Sequence, residues 1–278
     1  MPKNEKDQKK KSKSDDSASY GVYSDFVSAF NDKEAWCGGD RNLALIDKHG
    51  NVKRKIQLNK GVYDIAVTTE NEIFVTGSTI IKKYLQDDGF INIADTQPYE
   101  TRGLCPTSVQ DEILVCLYDV ININGKVVRM TTAGQIKQSI QKDKQQKLLY
   151  TYPRYVAENI SGDVVVVDGI LPSTILVVNK KGEYRYKYPD PSQSSHRIGY
   201  CYGLACDNKG CILVSDWGCH RIHQIDMDGR FIQFILTQQH GVQIPHGLSI
   251  DNKGQLWLCN NDGKEIQYYN TEQFCFKY

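Results

Sequence analysis

Long apolar runs and an apolar leader are both missing from this chain of 278 residues. No stretch reaches the roughly eighteen consecutive apolar residues that a membrane-spanning helix needs. The first twenty residues are polar and rich in lysine, and they lack the apolar segment of a secretory signal. We therefore expect a cytoplasmic protein with no membrane partner. The lysine run at Lys9–Lys13 also makes import into the nucleus an open alternative.

A large charge of either sign is absent too, since the formal net charge is +1. Domains that bind nucleic acid usually carry a strong positive charge, so we expect no DNA partner, and RNA binding only through a local basic patch. The nine cysteines are odd in number, and no two of them form a Cys-x-x-Cys pair. This pattern favours buried, reduced thiols over a disulfide framework or a zinc knuckle.

The N-terminal segment 1–19 combines six lysines with four acidic residues and holds no large apolar residue after Met1. Such a segment cannot bury enough surface to offset the entropy lost on ordering. We predict a disordered, Lys-rich tail at 1–19 and one folded domain at 20–278.

What the sequence does contain is an internal repeat. The stretches Tyr202–Ile235 and His246–Asn270 both open on Gly-Leu, turn at Asp-Asn-Lys-Gly and continue into further short strands. Four more diverged copies precede them, at intervals of roughly 40–50 residues. The equivalent first-strand residues are Ile65, Leu104, Val156, Leu204 and Leu248.

Each copy predicts four short antiparallel strands, and a lone sheet of this kind would leave both of its faces in water. Six sheets packed radially bury one another's faces, so the sequence predicts an all-β, six-bladed β-propeller with four-stranded antiparallel blades. The outer strand of the last blade could come from 274–278 or from 19–24, and the sequence leaves both possibilities open.

The stretch Ser215–Asp226 resembles the NHL repeat, in which an Asp on the second strand is followed by Asn-His-Arg-Ile or a variant. Asp216, His220 and Arg221 match this motif, with Cys219 in place of the Asn. The segment Ile244–Asn261 fits the Pro-x-Gly-Leu opening and the strand after it. Over about 22–278 the chain resembles the C-terminal NHL propeller of tripartite-motif (TRIM) proteins.

This resemblance implies a recognition module. The ubiquitin-ligase chemistry of TRIM proteins belongs to their RING, and the sequence shows no RING, B-box or coiled coil. Within the motif, we expect Asp216 and Arg221 to lie on adjacent strands and to hold the corner of the blade together.

Candidate binding residues stand just before each first strand. They would ring one mouth of the central channel if the repeat alignment holds, and such loops often build binding sites. We expect Arg102 and Arg154 to offer the best contacts for an anionic or peptide partner. The alternative is that the whole set only lines a wet channel. The set comprises Tyr63 (or Asp64), Arg102, Arg154, Tyr202 and His246.

Catalytic and metal sites are disfavoured. The amidating lyase, a related propeller, holds zinc with histidines from several blades, but here only His246 stands at such a position. No set of acidic and Asn residues matches the sugar-lactone hydrolase propellers, and no G-x-S-x-G or H-E-x-x-H motif occurs. A group of cysteines and histidines in the fifth repeat could suggest a zinc site, but the residues lack the tight spacing that structural zinc prefers. Its candidates are Cys201, Cys206, Cys211, Cys219, His220 and His223.

We therefore expect no cofactor and no enzymatic activity. The leading hypothesis is a non-enzymatic interaction or scaffold module that binds a protein partner through a propeller face or the channel mouth. RNA binding on a basic face is the alternative, with a metal-dependent lyase or hydrolase third. The basic face for RNA could be formed by Arg102, Lys126, Arg129 and Arg154.

Overall fold

The computed structural model of the chain describes residues 17–18, 23–86, 89–189 and 198–271. These residues form 24 β-strands and two short 3₁₀ turns, at Trp217–Cys219 and Gln238–His240. Within this described part, no helix is long and apolar enough to cross a membrane.

The strands form six antiparallel sheets of four strands each, which we call blades and number along the chain. In blades 1–3 each sheet runs in chain order from an inner strand to an outer one. Blade 1 is β2 (Phe26–Ala29), β3 (Glu34–Gly39), β4 (Asn42–Asp47) and β5 (Val52–Gln57); blade 2 is β6 (Asp64–Val67), β7 (Ile73–Gly77), β8 (Ile80–Leu85) and β9 (Gly89–Asp95); blade 3 is β10 (Glu100–Pro106), β11 (Glu112–Asp119), β12 (Asn124–Thr131) and β13 (Ile136–Ile140).

Blades 4 and 5 follow the same order, whereas blade 6 takes its outer strand, β1, from the N-terminal side. Blade 4 is β14 (Pro153–Glu158), β15 (Val164–Asp168), β16 (Thr174–Val178) and β17 (Tyr184–Tyr188); blade 5 is β18 (Cys201–Cys206), β19 (Ile212–Asp216), β20 (Arg221–Ile225) and β21 (Phe231–Leu236); blade 6 is β22 (Leu248–Ile250), β23 (Leu256–Asn260), β24 (Glu265–Tyr269) and β1 (Ser17–Ala18).

The predicted all-β, six-bladed propeller is confirmed, and so is the repeat alignment behind it. Leu204 pairs with Val214 and Leu248 pairs with Leu258, at the same point of their inner hairpins. The Asp-Asn-Lys-Gly turns explain why the hairpins form here. The side chain of Asp207 accepts the N–H groups of Lys209 and Cys211, and Gly210 adopts a φ of 88°. Glycine adopts this conformation without strain, so the turn fixes the register of the two strands.

The core consists of six apolar clusters, one in each contact between consecutive blades, which we call seams. Seam 3/4, for example, packs Leu114 and Val127 of blade 3 against Val156 and Val166 of blade 4. About half of the buried strand residues in these clusters are Val or Ile, and such β-branched side chains pack well on a pleated surface. Radial packing therefore buries both faces of each blade.

The ring closes through blade 6. Ser17 pairs with Gln267 and Ala18 pairs with Ile266, so an N-terminal segment forms the outer strand of the last blade. These two residues precede the predicted segment 19–24 and belong to the predicted tail. The other candidate, 274–278, the rest of the tail, 1–16 and 19, and residues 20–22 of the predicted segment lie outside the described residues. The predicted bounds of the tail, 1–19, and of the folded domain, 20–278, therefore remain predictions.

Candidate functional site at the channel mouth

Six residues at equivalent positions surround one end of the central channel. Each stands two residues before the equivalent first-strand residue of its blade, as His246 stands before Leu248. Five of them were predicted from the sequence. The sixth is Asp25 of blade 1, which precedes Val27, the residue that pairs with Cys37. We call the set the channel mouth: Asp25, Tyr63, Arg102, Arg154, Tyr202 and His246.

Arg102 is held by aromatic rings and by one carboxylate. Its guanidinium carbon lies 4.6 Å from the centre of the Tyr63 ring and 5.4 Å from that of Tyr152. Its Nη2 donates to a carboxylate oxygen of Glu100 at 2.6 Å. The positive charge of Arg102 is therefore largely engaged within the chain.

Arg154 has a similar environment one blade further on. Its guanidinium carbon lies 4.5 Å from the ring centre of Tyr200 and 4.6 Å from that of Tyr202. Nη1 donates to the carbonyl oxygen of Cys201 at 3.2 Å. Because β14 and β18 are neighbouring inner strands, these contacts connect blades 4 and 5 at the mouth.

His246 is the next mouth residue, and two carboxylates lie beside it. Its ring stacks on Tyr202 with the ring centres 4.2 Å apart and the planes 10° from parallel. Its Nδ1 lies 3.0 Å from a carboxylate oxygen of Asp25, and its Nε2 lies 3.3 Å from one of Asp262. The imidazole is buried, whereas the side chains of Asp25 and Asp262 are 36% and 43% exposed. Burial and these two carboxylates together raise the pKa of the neighbouring Tyr23.

The mouth therefore has two electrostatic halves. Arg102 and Arg154 lie on blades 3 and 4, where rings and a carboxylate engage them. Asp25 and Asp262 lie beside blades 6 and 1 and are more exposed. Sequence reasoning missed Asp25 because the first repeat is the most diverged, although its Asp-Phe-Val opening aligns with His-Gly-Leu of the last repeat. It also missed Asp262, which lies in the turn between β23 and β24.

The channel below the mouth is narrow. All six inner strands line a cavity of about 190 Å³ there. Asp64, the alternative to Tyr63 at the sequence level, lies one residue deeper than the mouth. Its two carboxylate oxygens accept the N–H groups of Ile65 at 2.9 Å and Leu104 at 3.0 Å. Burial raises its pKa to about 7, so a protonatable group tethers blade 2 to blade 3 inside the channel.

The NHL-type residues have structural surroundings. Asp216 is buried and pairs with Arg221 across the register of β19 and β20. Its carboxylate lies 3.5 Å from Arg221 Nε and 3.1 Å from His223 Nε2. His220 adopts a φ of 55°, and its Nδ1 accepts the N–H of Ile244 at 2.9 Å, which ties blade 5 to the segment before blade 6.

A metal centre finds no support in the geometry of the described residues. Among them, no three His, Cys, Asp or Glu side chains gather as ligands would. Asp25 and Asp262 approach opposite nitrogens of His246, so one ion could not bind all three side chains. In the cysteine-rich blade, burial raises the pKa of Cys211 to about 11, which disfavours the thiolate that binds metals.

Neither a protein-family model nor a curated protein matches this sequence. Solved structures do share its fold. A streptogramin B lyase superposes with a TM-score of 0.61 at 15% identity, over 91% of this chain and 97% of that one. The calcium-binding protein regucalcin from Agrobacterium tumefaciens strain C58 gives 0.67 at 11% identity, over 90% of each chain. A chain of a nidogen/laminin complex gives 0.62 at 14% identity, over 80% of this chain and 82% of that one.

At such identities the likeness shows the β-propeller fold alone. These three structures are described as a lyase, a calcium-binding protein and a nidogen/laminin complex, and none of the three as the NHL domain of a TRIM protein. The narrower resemblance to TRIM proteins therefore rests on the sequence motifs alone.

Proposed function

We propose that this chain is a non-enzymatic interaction module that binds a protein partner at the channel mouth, as its resemblance to TRIM NHL propellers implies. The observation that carries the proposal is a half-exposed aromatic rim beside fixed charges. Tyr23 and Tyr63 are 47% and 46% exposed and lie next to His246 and Arg102. Tyrosine and arginine are the residue types that most often carry the binding energy of protein interfaces.

The packing of the mouth adds support, because its side chains are held before any partner arrives. Arg154 is fixed by two rings and a carbonyl, and His246 by a stacked ring and two carboxylates. Side chains that are already ordered lose little conformational entropy on binding. A rim of this kind suits recognition of a folded or extended protein segment.

The proposal of a non-enzyme rests on the same contacts. The arginines and the imidazole at the mouth already have partners in the chain, and the described residues hold no cluster of metal-ligand type. A catalytic site needs a base or nucleophile that can reach a substrate atom. The mouth instead presents ring faces and paired charges.

RNA binding is supported less well, because the four basic residues do not share one surface. Arg129 pairs with Glu158 at 2.7 Å and lies 3.7 Å from Glu112. Glu158 ends β14, four residues after Arg154, and four residues of strand span about 13 Å. Arg129 therefore lies toward the opposite end of the channel from Arg102 and Arg154, and carboxylates offset its charge.

The test is a quantitative affinity capture from extract of the source cells with two charge-matched variants. Arg102→Met with Arg154→Met removes the two arginine charges of the mouth and keeps apolar stems. Lys137→Met with Lys187→Met removes two charges from exposed positions on β13 and β17. We expect the mouth variant to lose its protein partner about tenfold or more while the control retains it.

Thermal melts of both variants check that the propeller remains folded. Equal recovery of the same partners by the wild type and both variants would refute the mouth as the binding site. Recovery of RNA in place of protein, with affinity that falls steeply as salt rises, would favour the alternative function instead.

A further inference from the structure

The largest of the cavities described lies outside the channel, between the outer halves of blades 1 and 2. Its volume is about 630 Å³, within the range of pockets that hold small molecules. It is lined by the end of β5, the connection 58–63 and parts of β7, β8 and β9. We call it the seam 1/2 cleft. The proposed function at the channel mouth makes no use of it.

The cleft has an apolar wall. Five of its large apolar side chains are only half-buried, although they belong to the same cluster as the buried core of this seam. Tyr84 and Phe90 form one end, with ring centres 5.0 Å apart. The five are Ile56, Leu58, Val62, Tyr84 and Phe90.

Seams 3/4, 4/5 and 5/6 show what can cover this position, whereas seam 2/3 has the half-buried Ala94 there. In blade 1, Ile56 of the fourth strand pairs with a residue of the third strand. At the equivalent pairing position, the fourth strands of blades 3, 4 and 5 have Ile140, Tyr188 and Leu236. Those three are buried, and Ile56 is half-buried. The same strand position is thus core in three seams and cleft wall in seam 1/2.

The difference comes from the connections between blades. Among the described residues of the connections 141–152, 189–200 and 237–247, one buried apolar residue of each lies in the seam, and we call these plug residues. The connection 58–63 is about half as long and offers only the half-buried Leu58 and Val62. The plug residues are Tyr150 in seam 3/4, Ile198 in seam 4/5 and Val242 in seam 5/6.

Two lysines line the apolar cleft, of which Lys60 is exposed and Lys82 is half-buried. Lys82 lines it from β8, between Ile80 and Tyr84, whose side chains share its face of the strand. Lys82 is half-buried and belongs to none of the ion pairs found among the described residues, whereas its neighbour Lys83 pairs with Glu72. The one carboxylate among the lining residues, Asp95, accepts the N–H of Gln97. The cleft therefore combines apolar walls with one half-buried cation, Lys82, that lacks a carboxylate partner in the described part of the chain.

We propose that the seam 1/2 cleft binds a small amphipathic carboxylate, with its apolar chain or ring in the place of the missing plug residue and its carboxylate at Lys82. Burial of an apolar chain supplies the affinity, at about 25 cal/mol for each Å² removed from water. A half-buried ammonium would choose an acid over a neutral molecule of the same shape, because charge-assisted hydrogen bonds are the stronger ones.

Calorimetric titration with decanoate, and with decanol as its uncharged analogue, tests this inference. We expect decanoate to bind the wild type and Lys82→Met to weaken that binding about tenfold or more, with decanol changed less than about twofold. Lys82→Arg should retain binding within about threefold. Lys187→Met, at an exposed lysine of β17, is the matched control and should leave binding unchanged.

A second variant tests the location independently of charge. Leu58→Trp places a large ring where seams 3/4, 4/5 and 5/6 have a plug residue, so it should abolish binding of both probes while the melting temperature stays the same or rises. Failure of the wild type to bind decanoate at millimolar concentration would overturn the inference. So would unchanged affinity in Lys82→Met or in Leu58→Trp. None of these outcomes bears on the channel mouth.

Discussion

Seams 3/4 and 1/2 are built from the same strand positions but end differently at the rim of the propeller. In seam 3/4, Tyr150 leaves the connection 141–152 and is fully buried beside Ile140. In seam 1/2, the connection 58–63 is short, and Ile56 and Leu58 stay half-buried. One seam closes as core, and the other leaves a cleft of about 630 Å³.

The comparison separates what the repeat determines from what the connections determine. The strand pattern fixes the inner part of every seam, because alternating residues of consecutive blades meet there. The connection determines whether the outer part is filled. In seam 1/2 the short connection 58–63 leaves an apolar wall in contact with solvent, and a small ligand can cover such a wall.

The largest effect should come from emptying the closed seam. Tyr150→Ala removes a fully buried ring, so we expect a loss of about 3–5 kcal/mol in the free energy of unfolding. Leu58→Ala removes a half-buried side chain from the open seam and should cost about 1 kcal/mol. Urea denaturation followed by circular dichroism measures both variants.

The two losses of unfolding free energy are compared with each other, so each variant serves as the control for the other. An equal loss in the two variants would show that the two seams are packed alike and that the cleft is filled in solution. An unchanged slope of free energy against urea is needed for the comparison to be valid.

The inner part of the propeller could be predicted from the sequence because its signals are local. Asp-Asn-Lys-Gly at 207–210 and 251–254 sets the hairpins, and the alternating apolar residues around Leu204 and Leu248 mark the buried faces. Five mouth residues followed from that alignment. Asp25 did not, because the first repeat is the most diverged of the six.

The outer features could not be predicted, since their causes lie in tertiary structure. Tyr150 stands in a polar connection with no repeat pattern, and only the fold brings it onto Ile140. The Ser17–Ala18 strand carries no apolar alternation and forms because β24 offers an unpaired edge. The partners of Arg102 and Arg154 depend on side-chain directions that spacing does not reveal.

The seams also differ at their inner ends, and this difference should make the stability of the protein depend on pH. In seams 3/4 and 5/6 the inner strands meet at Gly103 and Gly203, where an added Cβ would lie 2.5 Å from a backbone oxygen of the next blade. In seam 2/3 Asp64 stands at the equivalent position and bonds to Leu104 N–H. Its pKa is raised to about 7 by burial, from an ordinary value near 3.8.

Between about pH 4 and 7 the folded protein holds a proton on Asp64 that the unfolded chain has released. Stability should therefore fall as the pH rises through this window and level off above it. Asp64→Asn cannot titrate, so the stability of the wild type relative to this variant should decline by an amount on the order of 3 kcal/mol across the window.

Urea denaturation at a series of pH values measures this difference. Asp40→Asn is the control, because Asp40 is exposed and adopts a φ of 49°, which Asn also tolerates. A difference between the wild type and Asp64→Asn that stays constant from pH 4 to 8 would mean that Asp64 is ionised throughout.

The smallest effect should come from one oxygen of the plug residue in seam 3/4. The Tyr150 hydroxyl is buried and makes no hydrogen bond with any described residue, and burial raises its pKa well above the usual value. Tyr150→Phe keeps the ring and removes this uncompensated polar atom, so stability should stay the same or rise by up to about 1 kcal/mol. If Tyr150→Ala also loses about 3–5 kcal/mol of unfolding free energy, the two results together would show that the ring of Tyr150, and not its hydroxyl, fills the seam. A loss above about 1 kcal/mol in Tyr150→Phe would instead show that the hydroxyl is hydrogen-bonded within the seam.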